Sequence, residues 1–279
     1  MSWSEPFVAW SSLCRRKVAG AVAAVVATLA ALPVAQAAPG VELLSHRAAY
    51  RLSLARADSG AGLAQVKGAL VLEWRAECDG WLTQQRLGFV AEADDGPGFT
   101  YDVRFSSWES RDNTQLRFNV RSFDGDKVQE EFRGLAKLDG AGAKGAARYT
   151  IPQGQVVELP AGTIFPTEHV SDLIAAAEAG QRLVSREVFD GSGADALTKA
   201  TAVIGAAKTV PLAGGGEEQR WPVSIAYFAA DSDDTLPQFE IAFDLSPGGV
   251  LNNVRLNYGE FTLQADLETL QTFAQPVCK

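Results

Sequence analysis

The stretch EWRAECDGWLTQQRL, residues 73–87, contains the pattern on which the fold prediction depends. Apolar and polar residues alternate before its turn, as expected of a half-buried β-strand. The two faces of this strand carry Leu70, Leu72, Trp74, Ala76 and Cys78 on one side and Glu73, Arg75 and Glu77 on the other. Asp79-Gly80 is a dipeptide typical of tight hairpin turns, and Trp81 to Glu92 is predicted as the next strand. The stretch therefore predicts an antiparallel hairpin.

The same alternation continues on both sides of this hairpin. Turn sequences rich in Gly, Asp and Asn separate the predicted strands at 94–98, 111–113 and 124–127. Further strands are predicted at 183–190, 197–210, 220–230, 237–246, 250–258 and 260–273. Short strands with turn residues at each reversal indicate an all-β chain, with about 14 strands in an antiparallel meander.

One segment has the period of a helix instead. In FPTEHVSDLIAAAEAGQRL, residues 165–183, the apolar side chains recur at helical spacing. Thr167 is predicted as the N-cap and Gly180 as the residue that ends the helix. These signals predict one main α-helix over 168–179.

Charged residues on the strands distinguish between two β-rich architectures. An outer-membrane barrel needs an apolar, lipid-facing band about 25 Å tall. Several predicted strands instead carry charged or polar residues along one face, namely Glu73, Arg75 and Glu77, then Glu130 and Arg133, then Gln264, Asp266 and Glu268. The pattern favours a soluble curled sheet, a β-spiral or half-barrel.

The first 37 residues have the pattern of a bacterial secretory signal. Basic residues at 15–17 precede an uncharged run at 18–35, and Ala35-Gln36-Ala37 supplies the small residues of a cleavage site. The alternative is a retained membrane anchor. Cleavage after Ala37 would leave 38–279 as a single periplasmic domain that does not span the membrane.

The predicted mature chain is acidic. The leader contains three of the 25 basic and one of the 34 acidic residues, so 22 basic and 33 acidic residues remain, a net charge of −11. Nucleic acids and anionic membrane surfaces both require a positive protein face. The charge therefore argues against nucleic acid as a partner.

Two cysteines, Cys78 and Cys278, remain after the predicted cleavage. In an oxidising compartment a structural disulfide is the favoured interpretation. A zinc site would need further ligands, and the chain has two histidines, far apart in sequence. A redox pair would normally have the C-x-x-C spacing. A disulfide would bring the C-terminal strand onto the second or third strand, and closing so long a loop is worth about 5 kcal/mol in the chain-entropy model.

Four short motifs are interpreted as turns. GAGAKG, at 140–145, has dinucleotide-binding spacing but is followed by a strand rather than a helix. DGSGAD, at 190–195, lacks the pattern of a nucleophile elbow. The acidic clusters at 94–95 and 231–234 lack the ligand spacing of a calcium loop. We predict no cofactor and no metal site.

His169 is the one candidate catalytic residue. It lies on the predicted helix one turn before Asp172, whose carboxylate could orient the imidazole. A histidine packed between helix and sheet is the commoner arrangement, and no nucleophile is marked. Aromatic side chains are expected in the core or, alternatively, in the lining of an apolar cavity, among them Trp74, Trp81, Trp108 and Trp221.

The chain also resembles a known family, the cell-envelope integrity protein EipB family of alphaproteobacteria. The resemblance rests on HRAAYRLSL (46–54), CDGWLTQQR (78–86), FSSWES (105–110), LPAGTIFPTEHVSDLIAAA (159–177), VFDGS (188–192), RWPVSIAYF (220–228), VLNNVRLNYGEFTL (250–263) and the penultimate Cys278. It implies a periplasmic, non-enzymatic β-spiral around one helix. It also implies a disulfide between Cys78 and Cys278 and a tetratricopeptide-repeat protein as a candidate partner.

Two classes of function follow as hypotheses. The first is a non-enzymatic protein that maintains the envelope and holds a protein or a lipid-like partner in its concave sheet. The second is a periplasmic hydrolase that uses His169. The resemblance assigns no catalytic residue to this chain.

Overall fold

A computed structural model describes residues 41–278, apart from 194, 213 and 231–235. The predicted signal peptide at 1–37 and the acidic cluster at 231–234 lie outside the described residues. None of the described helices is long and apolar enough to cross a membrane.

The described chain forms 16 β-strands and one α-helix. The strands before the helix are β1 His46–Ala57, β2 Leu63–Ala76, β3 Gly80–Ala93, β4 Phe99–Ser110, β5 Gln115–Asp124, β6 Lys127–Leu138, β7 Gly145–Ile151, β8 Val156–Leu159 and β9 Thr163–Ile164. The helix α1 is Pro166–Glu178. The strands after it are β10 Leu183–Phe189, β11 Leu197–Ile204, β12 Lys208–Pro211, β13 Glu217–Ala229, β14 Phe239–Leu245, β15 Leu251–Asn257 and β16 Phe261–Thr272.

The hairpin predicted at residues 73–87 is formed by β2 and β3, which pair from Leu63↔Ala93 to Ala76↔Trp81. Gly80 is required beside the turn because the neighbouring strand β4 comes very close. A Cβ at this position would lie 2.1 Å from the backbone oxygen of Glu109. Only glycine avoids that clash.

The strands form one curled sheet. Its order is β8-β7-β6-β5-β4-β3-β2-β1-β16-β15-β14-β13-β11-β10-β9, with β12 paired to β13 outside this path. Each neighbouring pair is antiparallel except β9 and β10. The first and last strands pair over nearly their whole length, from His46↔Thr272 to Ala57↔Phe261. The prediction of an all-β, curled antiparallel sheet is confirmed.

The strand count exceeds the prediction of about 14, and one predicted strand is interrupted. We expect a single strand over 197–210, but β11 ends at Ile204 and β12 begins at Lys208. Opposite the break lies Pro222, which has no N–H to donate to the ladder. The nitrogen of Gly205 donates to the oxygen of Pro222 at 2.6 Å, and the chain bulges before pairing resumes. The strands β8 and β9 are too short to show an alternating pattern.

The helix is confirmed, but its start differs from the prediction. It begins at Pro166, with Phe165 at the N-cap position, and Thr167 is already inside the first turn. The N-cap prediction is wrong because Pro166 is suited to the first helical position. The end is as predicted. Gly180 has a φ of +72°, and the nitrogen of Gln181 donates to the oxygen of Ala176, a common helix ending.

Helix α1 covers one end of the curled sheet. Thr167 binds Glu109 near the end of β4, and Val170 lies against Gly249 in the turn between β14 and β15. Leu173 and Ile174 are buried in the main hydrophobic core with side chains of strands from both halves of the sheet. We call this the helix end. The loops β1–β2, β3–β4, β5–β6, β7–β8, β13–β14 and β15–β16 lie at the opposite end, which we call the loop end. The β10–β11 loop lies beside the N-terminus of α1, because Asp190 and Ser192 line the same cavity as Pro166 and Thr167.

A second core forms where the two edges of the sheet overlap. Phe118 of β5 contacts Tyr149 of β7 and Phe189 of β10 edge to face, with ring centroids 5.0 and 5.7 Å apart. The edge strands β8 and β9 do not pair with each other, and Phe189 of β10 packs against Phe118 and Tyr149 instead, so the sheet is a spiral rather than a closed barrel.

Cys78 and Cys278 form a disulfide with a Cα–Cα distance of 5.5 Å. Cys78 lies in the turn between β2 and β3, and Cys278 follows the last strand. The segment before Cys278 runs beside the N-terminal residues. The side-chain amide of Gln275 donates to the oxygen of Leu43 at 2.9 Å. The bond therefore ties the C-terminal segment to the N-terminal hairpin.

Candidate binding cavity

The interior contains a cavity of about 410 Å³ between α1 and the second half of the sheet. Its floor is formed by helix residues, including Val170 and Leu173. Its walls are largely apolar side chains of β10, β13, β14 and β15, namely Val188, Ile225, Phe239, Ile241, Phe243 and Leu251. This volume lies within the range of roughly 300–1,000 Å³ typical of small-molecule sites.

A second cavity of about 310 Å³ adjoins the first on the side of the N-terminal strands. Apolar residues from β2, β4 and β5 line it, among them Leu72, Trp74, Val103, Phe105 and Val120. Both cavities are lined by Pro166, Val170, Asp190, Ser192 and Leu251. The shared residues make them two lobes of one interior site. Trp74 packs in the hydrophobic core and also lines the smaller cavity. Both locations expected for the tryptophans, core and cavity lining, therefore apply to this residue.

Aromatic side chains surround the interior near the loop end. In the first half of the sheet, Phe89 stacks on Tyr101 with ring centroids 5.1 Å apart. In the second half, Tyr258 contacts Phe239 at 5.1 Å and Phe261 at 5.0 Å. Phe239 also lines the larger cavity. An apolar ligand that enters from the loop end would pass between these rings.

The loop 190–195 supplies the charged side chains of the lining, Asp190 and Asp195. The Oδ1 atom of Asp190 accepts a hydrogen bond from the nitrogen of Ser192 at 2.8 Å. The hydroxyl of Tyr149 donates to the oxygen of Gly193 at 2.7 Å and holds the loop against β7. Burial raises the pKa of Asp190. The sequence predicts this segment as a turn, which it is, but carries no signal that the turn faces a cavity.

His169 lies on the floor of the larger cavity and is 4% exposed. Its Nε2 atom has no hydrogen-bond partner among the residues that the structure describes. Burial lowers the pKa of His169 to about 4, so the ring is neutral at pH 7. The predicted partner, Asp172, accepts instead from Nε of Arg186 at 2.8 Å. The orienting hydrogen bond between His169 and Asp172 is not formed.

Glu109, which no sequence pattern marks, holds α1 on the sheet. It is 3% exposed. It accepts hydrogen bonds from the nitrogen and the hydroxyl of Thr167 at 2.9 and 2.7 Å. The carboxyl thereby caps the N-terminus of the helix. Burial raises the pKa of Glu109 to about 7, and the negative charge of Glu168 acts in the same direction.

Glu109→Gln is expected to change how stability depends on pH. Because the pKa in the folded protein lies above that of the unfolded chain, the wild type loses stability as pH rises from about 4.5 through 7. The glutamine oxygen can accept from the nitrogen of Thr167, its NH2 group can donate to the threonine hydroxyl, and the side chain does not ionise. Urea unfolding should therefore show the free energy of the variant, relative to wild type, rising by about 2–3 kcal/mol between pH 5 and pH 8. Glu260→Gln, at an exposed turn, is the matched control. Parallel pH curves for Glu109→Gln and wild type would contradict this assignment.

The outer face of the sheet carries charge clusters in which one acid lies between two arginines. Glu73, although 8% exposed, faces outward and accepts from Arg47 at 2.7 Å and from Arg75. Burial opposes its ionisation, but both arginines stabilise the carboxylate and lower the pKa of Glu73. Equivalent clusters are Arg86–Asp102–Arg104 and Arg121–Glu131–Arg133. These arginines therefore point away from the cavity.

The remaining candidate residues lie away from the cavity. Gly140 and Gly142 form the β6–β7 loop and Gly145 begins β7, as the hairpin interpretation predicts. Asp94 and Asp95 lie in the β3–β4 loop. Among the described residues no group of three or more His, Cys, Asp or Glu side chains is placed to hold a metal ion.

Comparison with known proteins finds similarity over most of the chain. Residues 37–274 match a family model described as EipB-like. The cell envelope integrity protein EipB of Brucella abortus (strain 2308) is 33% identical over 248 residues, which cover 86% of this chain and 88% of that protein. The crystal structure of a beta-barrel-like protein of a domain of unknown function from Brucella abortus superimposes with a TM-score of 0.77 at 33% identity. It covers 84% of this chain and 100% of the other.

Proposed function

The chain belongs to the EipB-like family, and from this membership we propose that it helps to maintain the integrity of the cell envelope. It does so without catalysing a reaction, by holding a lipid-like partner in the interior of its curled sheet. The relative that is 33% identical carries the name of a cell envelope integrity protein. The lipid-like partner would bind in the two-lobed cavity.

The observation that carries this proposal is the cavity itself. A folded domain normally fills its interior at close-packed density, with few voids larger than a water molecule. Here lobes of about 410 and 310 Å³ lie side by side and share five lining residues. Their walls are mainly aliphatic and aromatic, and the charged groups, Asp190 and Asp195, lie on the loop 190–195. Neutral polar side chains, including Gln85 and Gln238, line other parts of the lobes. An apolar body with one polar end is the ligand that such a lining recognises.

Filling the larger lobe should abolish function without unfolding the protein. Ile241→Trp places an indole in the cavity from β14. Ala242→Trp, on the opposite face of the same strand, is the matched control. In a strain that lacks the gene, Ile241→Trp should fail to restore survival under detergent stress, whereas Ala242→Trp restores it. Both proteins should melt close to the wild type. Full rescue by a folded Ile241→Trp protein would rule out binding in this lobe.

The alternative function, hydrolysis through His169, lacks a supporting pair of groups among the described residues. Asp172 is bound to Arg186, and Nε2 of His169 has no partner within the described part of the chain. His169→Gln is therefore expected to restore envelope function fully in the same assay, with some loss of melting temperature. A variant that melts like the wild type yet shows no function would revive the enzymatic hypothesis.

The proposed site of action is the periplasm, after cleavage of residues 1–37. N-terminal sequencing of protein from the periplasmic fraction should begin at Ala38, and an intact leader would indicate an anchor instead. The tetratricopeptide-repeat partner implied by the family resemblance stays a prediction. Co-purification of the two full-length proteins from crosslinked cells tests it.

A further inference from the structure

The charge of the cavity restricts which ligands it can accept. Among the described residues that line either lobe, the charged side chains are the carboxylates Asp190 and Asp195, and no Lys or Arg is present. The imidazole of His169 is neutral at pH 7. Asp190 lines both lobes and forms no salt bridge with a described residue. A ligand with an anionic end would find no positive partner here.

The loops through which a ligand would approach are acidic, as the cavity lining is. The described residues of the six loop-end loops include the acidic residues Asp58, Asp94, Asp95, Asp126 and Glu260. They include no Lys or Arg. Arg56, at the end of β1, pairs with Asp58 at 3.1 Å. A cleft lined by one sign of charge attracts the opposite sign and repels its own.

Positive charge is placed elsewhere on the fold. The arginines of the three acid-centred clusters face outward from β1–β6. Arg111 and Arg182 lie in connections at the helix end. Lys144, in the β6–β7 loop, lines a separate cavity with Asp195 and lines neither lobe. The absence of cations from the cavity is therefore not a consequence of a chain poor in Lys and Arg, since the chain has 25 of them.

From this distribution we infer that the ligand is a single-chain amphiphile whose polar end is an ammonium group or an uncharged hydroxyl, and that anionic amphiphiles are excluded. The apolar chain occupies the lobes and the polar end lies at Asp190 and Asp195. A carboxylate placed against an apolar cavity is costly unless it receives hydrogen bonds or a counter-charge, and the ligand's donors supply them. This inference rests on the proposed function and specifies the ligand class of the same site.

Three probes of equal chain length test the inference, namely decylammonium, decanol and decanoate, each below its aggregation concentration. Binding is followed by the fluorescence of the tryptophans, since Trp74 lines the smaller lobe. Decylammonium should bind at least about 10-fold more tightly than decanoate, which corresponds to about 1.4 kcal/mol. Decanol should lie between them. Binding of decanoate as tight as that of decylammonium would overturn the inference.

Asp190→Asn tests whether the carboxylate of Asp190 causes the preference for decylammonium. Asparagine keeps an oxygen for the nitrogen of Ser192, so the loop should retain its conformation. The preference for decylammonium over decanoate should fall about 10-fold, with decanol binding unchanged. Asp195→Asn, at an exposed position, should shift the preference in the same direction by less, and Asp94→Asn, outside the cavity, should not shift it.

The outcomes separate the inference from the proposed function. An unchanged preference in both Asp190→Asn and Asp195→Asn overturns the inference alone, provided that Ile241→Trp still weakens binding of all three probes. If none of the three probes binds the wild type, the proposed cavity function fails together with the inference.

Discussion

Cys78→Ala, Cys278→Ala and the double variant are expected to lose about the same free energy of unfolding, roughly 2–5 kcal/mol. Each removes the same cross-link, which joins residues 200 positions apart. Both cysteine positions are exposed, so alanine removes little packing. The loss is a large share of a typical stability of about 5–15 kcal/mol.

Urea unfolding of the three variants, with and without a reductant, measures this loss. A reductant should lower the stability of the wild type to that of the variants and leave the variants unchanged. Thiol counting on unfolded, unreduced protein from the periplasm should find no free thiol. Two free thiols, or a wild type insensitive to reduction, would contradict the disulfide.

Phe118→Ala is expected to cost about 3–5 kcal/mol, as large-to-small changes of buried aromatic residues do. Phe118 is 3% exposed and contacts Tyr149 and Phe189. It also lies under Gly191, where a Cβ would approach its ring to 2.3 Å. Removing the ring therefore loosens both the overlap of the spiral and the loop that carries Asp190.

Phe99→Ala is the matched control, because Phe99 is 47% exposed at the loop end. Its cost should stay below about 1 kcal/mol. Urea unfolding of both variants makes the comparison. Equal losses of unfolding free energy would mean that the contacts of Phe118 in the overlap of β10 with β5–β7 stabilise the fold no more than those of an exposed side chain.

Much of the fold can be predicted because its signals are local. Alternation around Asp79-Gly80 predicts the β2–β3 hairpin, and the pairing of Cys78 with Cys278 requires the last strand to return beside the first strands. The break at 205–207 depends on Pro222 in the partner strand, and the carboxylate that caps the helix comes from Glu109 in β4. Such effects arise from residues distant in sequence, so a local pattern does not reveal them.

The candidate site is harder to predict from the sequence than the fold is. Its lining residues extend from Leu72 to Leu251 and come together only when the sheet curls. His169 and Asp172 have suitable spacing for a catalytic pair, but the carboxylate of Asp172 accepts its hydrogen bond from Arg186 on strand β10 instead. Asp190 lies in an ordinary turn sequence. Its importance follows from the cavity that it faces.

Native mass spectrometry of protein purified gently from the periplasm tests most directly whether the cavity holds a ligand. Wild-type protein should carry a non-covalent small molecule, released on unfolding, whose mass is that of a single-chain amphiphile. The Ile241→Trp protein should be free of it, and the Ala242→Trp protein should retain it. Wild-type and Ile241→Trp proteins that both have the bare polypeptide mass, or both carry the same adduct, would contradict binding in the cavity.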